Sequence, residues 1–201
     1  KAAGWKLLFD GKTTEGWRNY KKDTINPGWK VLDGALTRAD KGAGDIITKY
    51  KFDSFDQSID SKIAEGGNSG LMYRVTEEYG SPWQSGPEIQ ILDNVKGKDP
   101  NKAGWCYQFY KSEKDTTKPA GQWNTFRLVI DGDKVEHYMN GEKYFEYVIG
   151  SPEWNEKLAK SKFAKYPNFA KANEGHIALQ DHGDTVAFRN IKIRQIKKQA
   201  P

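Results

Sequence analysis

Three short segments of the chain combine alternating apolar residues with side chains that can carry out proton transfer. They read Gly70-Leu-Met-Tyr-Arg74, Glu88-Ile-Gln-Ile-Leu92 and His176-Ile-Ala-Leu-Gln-Asp-His182. Because side chains alternate between the two faces of a β-strand, the apolar members would enter a core and the polar members would oppose them. If the three strands lie in one sheet, a single face carries six polar side chains: Arg74, Glu88, Gln90, His176, Gln180 and His182.

These residue types suit acid–base chemistry on a polyhydroxylated ligand. A carboxylate and an imidazole exchange protons, a guanidinium stabilises developing negative charge, and amides hydrogen-bond hydroxyl groups. The alternative is an ordinary solvated face, because antiparallel sheets commonly have one wet side.

Glu88 is the strongest catalytic candidate. It follows the loop Ser81-Pro-Trp-Gln-Ser-Gly-Pro87, whose Trp83 could overhang the sheet. A surface salt bridge between Glu88 and Arg74 is the structural alternative. We predict that Glu88, His182 and Arg74 are catalytic, and we count as substrate-binding candidates Gln90, His176, Gln180, His137 and Trp83.

The other polar residues each have a structural alternative. His182 ends a strand in Gln180-Asp-His-Gly-Asp184, where histidine serves as a turn residue or as a base. His137 shares a strand face with Val135 and Met139, so a core position and a substrate-binding position both stay open. The nearby Asp181 and Asp184 could hold a divalent metal, calcium or another hard cation, although aspartate is also common in turns. No other cofactor is predicted.

Standard enzyme signatures are missing from the sequence. It contains no phosphate-binding P-loop, no dinucleotide-binding glycine motif, no nucleophile elbow and no H-E-x-x-H zinc motif. The residue that shares a strand face with Glu88 is the amide Gln90, so the acid pair of an ordinary glycosidase is not evident.

The pattern of turns predicts an all-β fold in one domain spanning residues 1–201. Two hairpins are centred on Asp33-Gly34 and Asn140-Gly141, dipeptides that favour the positive φ angles of tight hairpin turns. The turn Asp131-Gly132 would extend the second hairpin into a three-stranded meander. One short helix is predicted near residues 152–164, with Ser151 as its cap and Pro152 in its first turn.

Composition excludes several classes of function. The formal net charge is +5, but lysines are interspersed with acidic residues, so we predict no nucleic-acid partner. No apolar run approaches the length that crosses a bilayer. The single cysteine, Cys106, has aromatic neighbours and is expected to be a small buried hydrophobe without chemistry.

Six motifs closely resemble the 3-keto-disaccharide hydrolase domain family, and the resemblance runs from about Trp5 to Ile196. The six motifs are Leu7-Leu-Phe-Asp-Gly-Lys12 with Gly16-Trp17, Gly66-Gly-Asn-Ser-Gly70 with Arg74, Glu88-Ile-Gln-Ile-Leu-Asp-Asn94, Gly121-Gln-Trp-Asn124, Gly175-His-Ile-Ala-Leu-Gln-Asp-His-Gly183, and Phe188-Arg-Asn-Ile-Lys-Ile193. Two further segments, Ser151-Pro-Glu-Trp154 and Ser161-Lys-Phe-Ala-Lys-Tyr-Pro167, also look like that family. The resemblance implies a concanavalin A-like jelly-roll sandwich of two antiparallel sheets. It also implies a bacterial protein that is periplasmic, secreted or anchored at the cell surface.

The implied activity is cleavage of glycosides already oxidised at C3 of the sugar ring. A ketone at C3 acidifies the C2 hydrogen, so a base can remove it, the C1 oxygen can leave by β-elimination, and water can add afterwards. Glu88 or His182 would be the base, and Arg74 or a divalent metal would stabilise the enolate. The alternative is a non-catalytic carbohydrate-binding module, because this fold also occurs in lectins.

Overall fold

The computed structural model of the chain describes residues 4–196. In chain order its strands are β1 (Lys6–Leu7), β2 (Trp17–Asn19), β3 (Trp29–Leu32), β4 (Ala35–Arg38), β5 (Ile46–Thr48), β6 (Phe55–Ile63), β7 (Asn68–Val75), β8 (Glu88–Leu92), β9 (Asn124–Asp131), β10 (Lys134–Met139), β11 (Glu142–Val148), β12 (His176–Leu179) and β13 (Val186–Gln195). A single α-helix within this range, α1 (Pro152–Lys160), connects β11 to the later strands.

The strands form two antiparallel sheets packed face to face. The larger sheet has the order β11-β10-β9-β6-β13-β4-β3, with β1 paired to β13, and the smaller has the order β2-β5-β12-β7-β8. The predicted all-β jelly-roll sandwich with one short helix is confirmed.

The predicted hairpin turns are present, and their conformations explain their sequences. Asp33 and Gly34 have φ angles of 49° and 73°, and Asn140 and Gly141 have φ angles of 48° and 85°. A pair of positive φ angles in a two-residue loop matches the twist of a hairpin, and aspartate, asparagine and glycine tolerate that conformation best. The third predicted turn joins β9 to β10 and completes the meander.

One apolar cluster fills the space between the sheets. The alternation of β7, β8 and β12 sends Leu71, Ile89 and Ile177 into it, as predicted, and Cys106 is also buried there. On the opposite face of the smaller sheet, a second cluster is formed by Ile47, Met72, Val75 and Ala178.

The helix is shorter than predicted. Ser151 caps α1 by accepting a hydrogen bond from the backbone N–H of Trp154, but the helix ends at Lys160. Ser161 then caps a separate 3₁₀ turn over Lys162–Lys165. The serine side chain competes with the helical hydrogen-bond pattern and therefore redirects the backbone at this point.

The loop of residues 76–87 covers half of the outer face of the smaller sheet. Tyr20 donates a hydrogen bond from its hydroxyl to the carbonyl oxygens of Thr76 and Tyr79, and Arg18 makes a bidentate ion pair with Glu77. These contacts keep the loop over the second apolar cluster. The other half of the face, which carries the polar ends of β8 and β12, stays open.

Candidate active site

A cleft of about 210 Å³ opens on the uncovered half of the smaller sheet. Nine side chains line it: Asn68, Trp83, Glu88, Gln90, Asp99, Tyr107, Lys162, Gln180 and His182. Three surface grooves elsewhere, of about 460, 340 and 330 Å³, are larger but contain no histidine among their lining residues. We locate the functional site in the smaller cleft because a buried carboxyl, an imidazole, an ammonium and three amides converge there.

Strand register explains how the floor of the cleft is assembled. Gln90 is paired with Gly70 across the β7–β8 ladder, and the backbone N–H of Gln180 donates to the carbonyl oxygen of Gly70 from the other side. A Cβ atom on Gly70 would lie 2.8 Å from Cδ of Glu88, which is too close for any real contact. Glycine at position 70 therefore makes room for the Glu88 carboxyl over the sheet.

Glu88 is a nearly buried acid without a protein partner. Its side chain is 5% exposed, and no described residue hydrogen-bonds its carboxyl group. Burial raises its pKa to about 8, opposed by the charge of Lys162 and reinforced by Asp99 and Asp45. The carboxyl is therefore mostly protonated at neutral pH and can donate a proton.

Two amide oxygens in the cleft also lack partners within the described structure. Gln90 donates its amide to the carbonyl oxygen of Asn101 at 3.2 Å, but its Oε1 is buried and unpaired. The Oε1 atom of Gln180 is buried and unpaired as well. Buried acceptors without partners are rare in folded proteins, so these two atoms are suited to ligand hydroxyl groups.

His182 lies exposed at the rim of the cleft, on a loop that is anchored by the hydrogen bonds and the ion pair of its neighbour Asp181. The Asp181 N–H donates to Oδ1 of Asp45 at 2.8 Å, and the Asp181 carboxylate pairs with the buried Arg38 at 3.2 Å and accepts from the Gly44 N–H. These bonds fix the backbone beside the imidazole.

The two aspartates predicted as a calcium site are both engaged in holding this loop. Asp184 accepts a hydrogen bond from the backbone N–H of Asn68, and Asp181 has the partners given above. Over residues 4–196, no three His, Cys, Asp or Glu side chains are grouped so as to hold a metal ion. In this structure the carboxylates at 181 and 184 therefore serve as acceptors and ion-pair partners for protein groups.

Aromatic rings at the cleft are already covered by a cation. The Nζ atom of Lys162 lies 4.5 Å from the ring centre of Trp83 and 4.7 Å from that of Tyr107. Trp83 also makes edge contacts with Phe163 and Tyr166. Trp83 thus lines the cleft as predicted, but it packs against the protein instead of presenting an open platform.

Arg74 does not share the face of Glu88, so that part of the prediction is wrong. A bulge in the β7–β12 ladder puts Arg74 at a φ angle of 54° and interrupts the alternation. Its guanidinium is buried and donates to the carbonyl oxygens of Ala170 and Gly132 and to the Asp133 carboxylate. Arg74 joins loops of the sandwich, and it does not line the cleft.

His137 and His176 also lie outside the cleft. His137 is buried between the sheets, donates from Nδ1 to the Gly104 carbonyl and accepts at Nε2 from the Tyr147 hydroxyl. Burial lowers its pKa to about 4, so it is the neutral core histidine that the sequence left as an alternative. His176 does lie on the outer face, but it is buried and donates to the Thr48 carbonyl at 2.7 Å.

Several residues of the site were not predicted from the sequence. Asp45 does not line the cleft but accepts a hydrogen bond from the loop that carries His182. It immediately precedes β5, whose Ile46 enters the core while Ile47 faces outward, so alternation also places Asp45 on the outer face. That signal was present in the sequence. Asp99 and Tyr107 lie in irregular segments and Lys162 begins a 3₁₀ turn, so no period-two alternation indicates the direction of their side chains.

A small polar cleft with a protonated buried acid and unpaired amide oxygens can hydrogen-bond the hydroxyl groups of a ligand and exchange a proton with it. The model of the 3-keto-alpha-glucoside-1,2-lyase-like domain family matches residues 4–194. A 3-keto-disaccharide hydrolase of Bacteroides thetaiotaomicron is 33% identical, and the alignment covers 96% of this chain and 79% of that protein.

Solved structures agree with the sequence comparison. A Parabacteroides distasonis protein provisionally named a glycosyl hydrolase superposes with a TM-score of 0.88 at 32% identity, covering 96% of this chain and 94% of that chain. A second such protein from the same species gives a TM-score of 0.73 at 30% identity, covering 96% and 99%. The chain belongs to the 3-keto-α-glucoside-1,2-lyase-like family, which confirms the family predicted from the sequence motifs and places it among glycoside-cleaving enzymes.

No helix of residues 4–196 is long and apolar enough to cross a membrane.

Proposed function

We propose that the protein cleaves glycosides whose sugar ring carries a ketone at C3. The observation that carries this proposal is the partnerless, nearly buried Glu88 carboxyl, set beside the exposed His182 imidazole in a cleft with unpaired amide oxygens. The proposal is also supported by the family and by the name of the Bacteroides thetaiotaomicron relative.

The proposed reaction needs one proton acceptor and one proton donor. A base takes the C2 proton, and the C–H electron pair forms an enolate with the C3 carbonyl. The enolate then expels the C1 oxygen, which leaves with a donated proton, and a double bond forms between C1 and C2. Water adds across that bond to give the free 3-keto sugar, so the balance requires no oxidant or metal.

We assign the donor role to Glu88 and the base role to His182. Glu88 holds its proton at neutral pH because its pKa is raised to about 8, which is suited to protonating a leaving oxygen. The exposed imidazole of His182, which lines the same cleft, can accept the C2 proton. Gln90 and Gln180 would accept hydrogen bonds from the remaining ring hydroxyls.

A carbohydrate-binding module remains the second candidate, and the state of the aromatic rings weighs against it. Sugar-binding sites commonly stack the ligand on open rings. In this cleft Lys162 lies over the rings of both Trp83 and Tyr107, while titratable groups crowd the floor. That arrangement favours proton transfer over passive binding.

The test is incubation of the protein with a 3-keto-glucoside that bears a chromogenic leaving group, alongside the unoxidised glucoside. We expect release from the keto substrate only. Glu88→Gln should abolish most of that release, whereas the matched control Glu113→Gln, at a side chain that is 91% exposed, should not. Binding of both sugars without release of either would instead support the binding module.

A chelator arm of the same assay tests the divalent metal predicted from the sequence. Because Asp181 and Asp184 are bonded to protein groups, we expect release to continue in the presence of chelator. Loss of release that returns with added metal would contradict that expectation.

We also propose, from the family resemblance, that the protein acts outside the cytoplasm. Fractionation of the producing cells tests this by locating the protein in the periplasm, at the surface or in the medium. Recovery from the cytoplasm alone would contradict the proposal.

A further inference from the structure

The proposed reaction builds negative charge on the C3 oxygen, and the sequence candidate for stabilising it, Arg74, lies elsewhere. Among the residues that line the cleft, Lys162 is the one lysine or arginine. Its position in the fold indicates that this charge is held in place.

The backbone that carries Lys162 is fixed on both sides. Its N–H donates to Oε1 of Gln108 at 3.1 Å, and the following residue, Phe163, is buried and stacks on Phe169 with ring centres 4.4 Å apart. The break of α1 at Ser161 turns this segment toward the cleft. The side chain therefore starts from a rigid anchor.

The ammonium group itself is held by aromatic rings instead of by an acid. It lies 4.5 Å from the Trp83 ring centre and 4.7 Å from that of Tyr107, distances at which cations are attracted to ring faces. No carboxylate of residues 4–196 forms an ion pair with it, in contrast to Lys157 and Lys160 on the neighbouring helix. A cation without a counter-ion, held at a cleft, is suited to an anionic ligand group.

The charge of Lys162 acts inside the cleft. It is the largest effect opposing the raised pKa of Glu88, so the ammonium and the carboxyl are close enough to interact electrostatically. A substrate whose C1 oxygen meets Glu88 would have C3 only two ring atoms away.

We propose that Lys162 is a catalytic residue that binds the C3 carbonyl oxygen and stabilises the enolate formed there. This inference rests on the proposed function. It gives a role to a residue for which the sequence suggested none, and it explains why Trp83 and Tyr107 flank the cleft: their rings hold the lysine.

The experiment isolates enolate formation from glycoside cleavage. The probe is a 3-keto-1,5-anhydroglucitol, which has the C3 ketone but no leaving group at C1, and NMR in D₂O follows exchange of its C2 hydrogen. We expect wild-type protein to catalyse exchange. Lys162→Met should slow exchange about 100-fold, because loss of one oxyanion-stabilising group typically lowers the rate by that factor. Lys162→Arg should recover part of the rate, because it keeps a positive charge at this position. Lys165→Met is the matched control; this lysine is exposed, lies over the Tyr166 ring and does not line the cleft, so its removal should leave exchange unchanged.

The outcomes separate this inference from the proposed function. Failure of the wild-type protein to exchange the C2 hydrogen would overturn the proposed function itself. Rapid exchange by Lys162→Met, with the wild type active, would overturn the role of Lys162 alone. A raised KM with an unchanged maximal exchange rate would make Lys162 a binding residue and would also contradict the proposal. Lys162 is exposed, so the variant is expected to fold.

Discussion

Replacing Glu88 with glutamine should make the protein more stable as well as inactive. The folded carboxyl has its pKa raised from an ordinary 4.5 to about 8 because it is buried without a partner. Between those two pH values the unfolded chain is ionised at this position while the folded chain keeps the proton. Folding therefore takes up a proton, and the free energy of unfolding falls as pH rises through this window.

The size of the effect follows from the raised pKa. Each pH unit within the window lowers the free energy of unfolding by roughly 1.4 kcal/mol, so wild-type protein should lose about 3 kcal/mol between pH 4.5 and pH 7 through Glu88. Glutamine is neutral in both states and has no such slope. The stability difference between Glu88→Gln and wild type should therefore increase by about 3 kcal/mol over the same range.

Urea unfolding of wild type and Glu88→Gln at pH 4.5, 5.5 and 7 measures this difference directly. Other groups titrate alike in both proteins, so their contributions cancel. The exposed Glu113→Gln variant should show no pH-dependent difference from wild type. A constant difference between Glu88→Gln and wild type across the range would refute the reasoning, because it would mean that folding does not change the proton affinity of Glu88.

Three further predictions follow from the same structure. The rate of release from a 3-keto-glucoside should fall as pH rises through about 8, because Glu88 loses the proton it donates. A pH profile of kcat that stays level to pH 9 would contradict the assignment of Glu88 as the donor. Gln180→Leu should lower kcat/KM about 10-fold, because one hydrogen bond to substrate is lost. The free energy of unfolding in urea should change little, since Oε1 of Gln180 has no described protein partner. Equal kcat/KM in wild type and variant would show that this oxygen does not bind substrate. Arg74→Met should lower the free energy of unfolding by about 2–4 kcal/mol, because the carbonyl oxygens of Ala170 and Gly132 lose their donor. It should leave kcat of the folded protein unchanged. A loss of kcat without a loss of stability would show that Arg74 takes part in catalysis.

The sandwich could be predicted because its strands follow simple rules. Period-two alternation places Leu71, Ile89 and Ile177 in the core, and the Asp33-Gly34 and Asn140-Gly141 turns set two hairpins. These signals are local, so each can be recognised from a short segment of the sequence alone.

The site was predicted in part, and its errors have a physical cause. Glu88, Gln90, Gln180 and His182 meet in one cleft because regular pairing carries alternation across neighbouring strands. Arg74 was misplaced because a bulge breaks that alternation, and a bulge leaves no clear mark in a single sequence. Asp45 was missed although its alternation could have identified it.

The catalytic lysine we propose was beyond sequence reasoning for a different reason. Lys162 reaches the cleft through a 3₁₀ turn after α1, and its position depends on rings contributed by Trp83 and Tyr107 from distant parts of the chain. The family resemblance includes its segment, but no spacing or alternation in the sequence gives this lysine a role. Tertiary contacts alone distinguish it from Lys160 and Lys165.

Removal of the C2 proton is the central step of the proposed reaction, and isotopic substitution tests it most directly. Release of the leaving group should be compared for a 3-keto-glucoside carrying hydrogen at C2 and for the same compound carrying deuterium there, under saturating and subsaturating conditions. We predict slower release from the deuterated substrate and no release from the unoxidised glucoside. Release from the unoxidised glucoside at a rate comparable to that from the keto substrate would contradict the account, because cleavage would then proceed without the acidity that the C3 ketone confers.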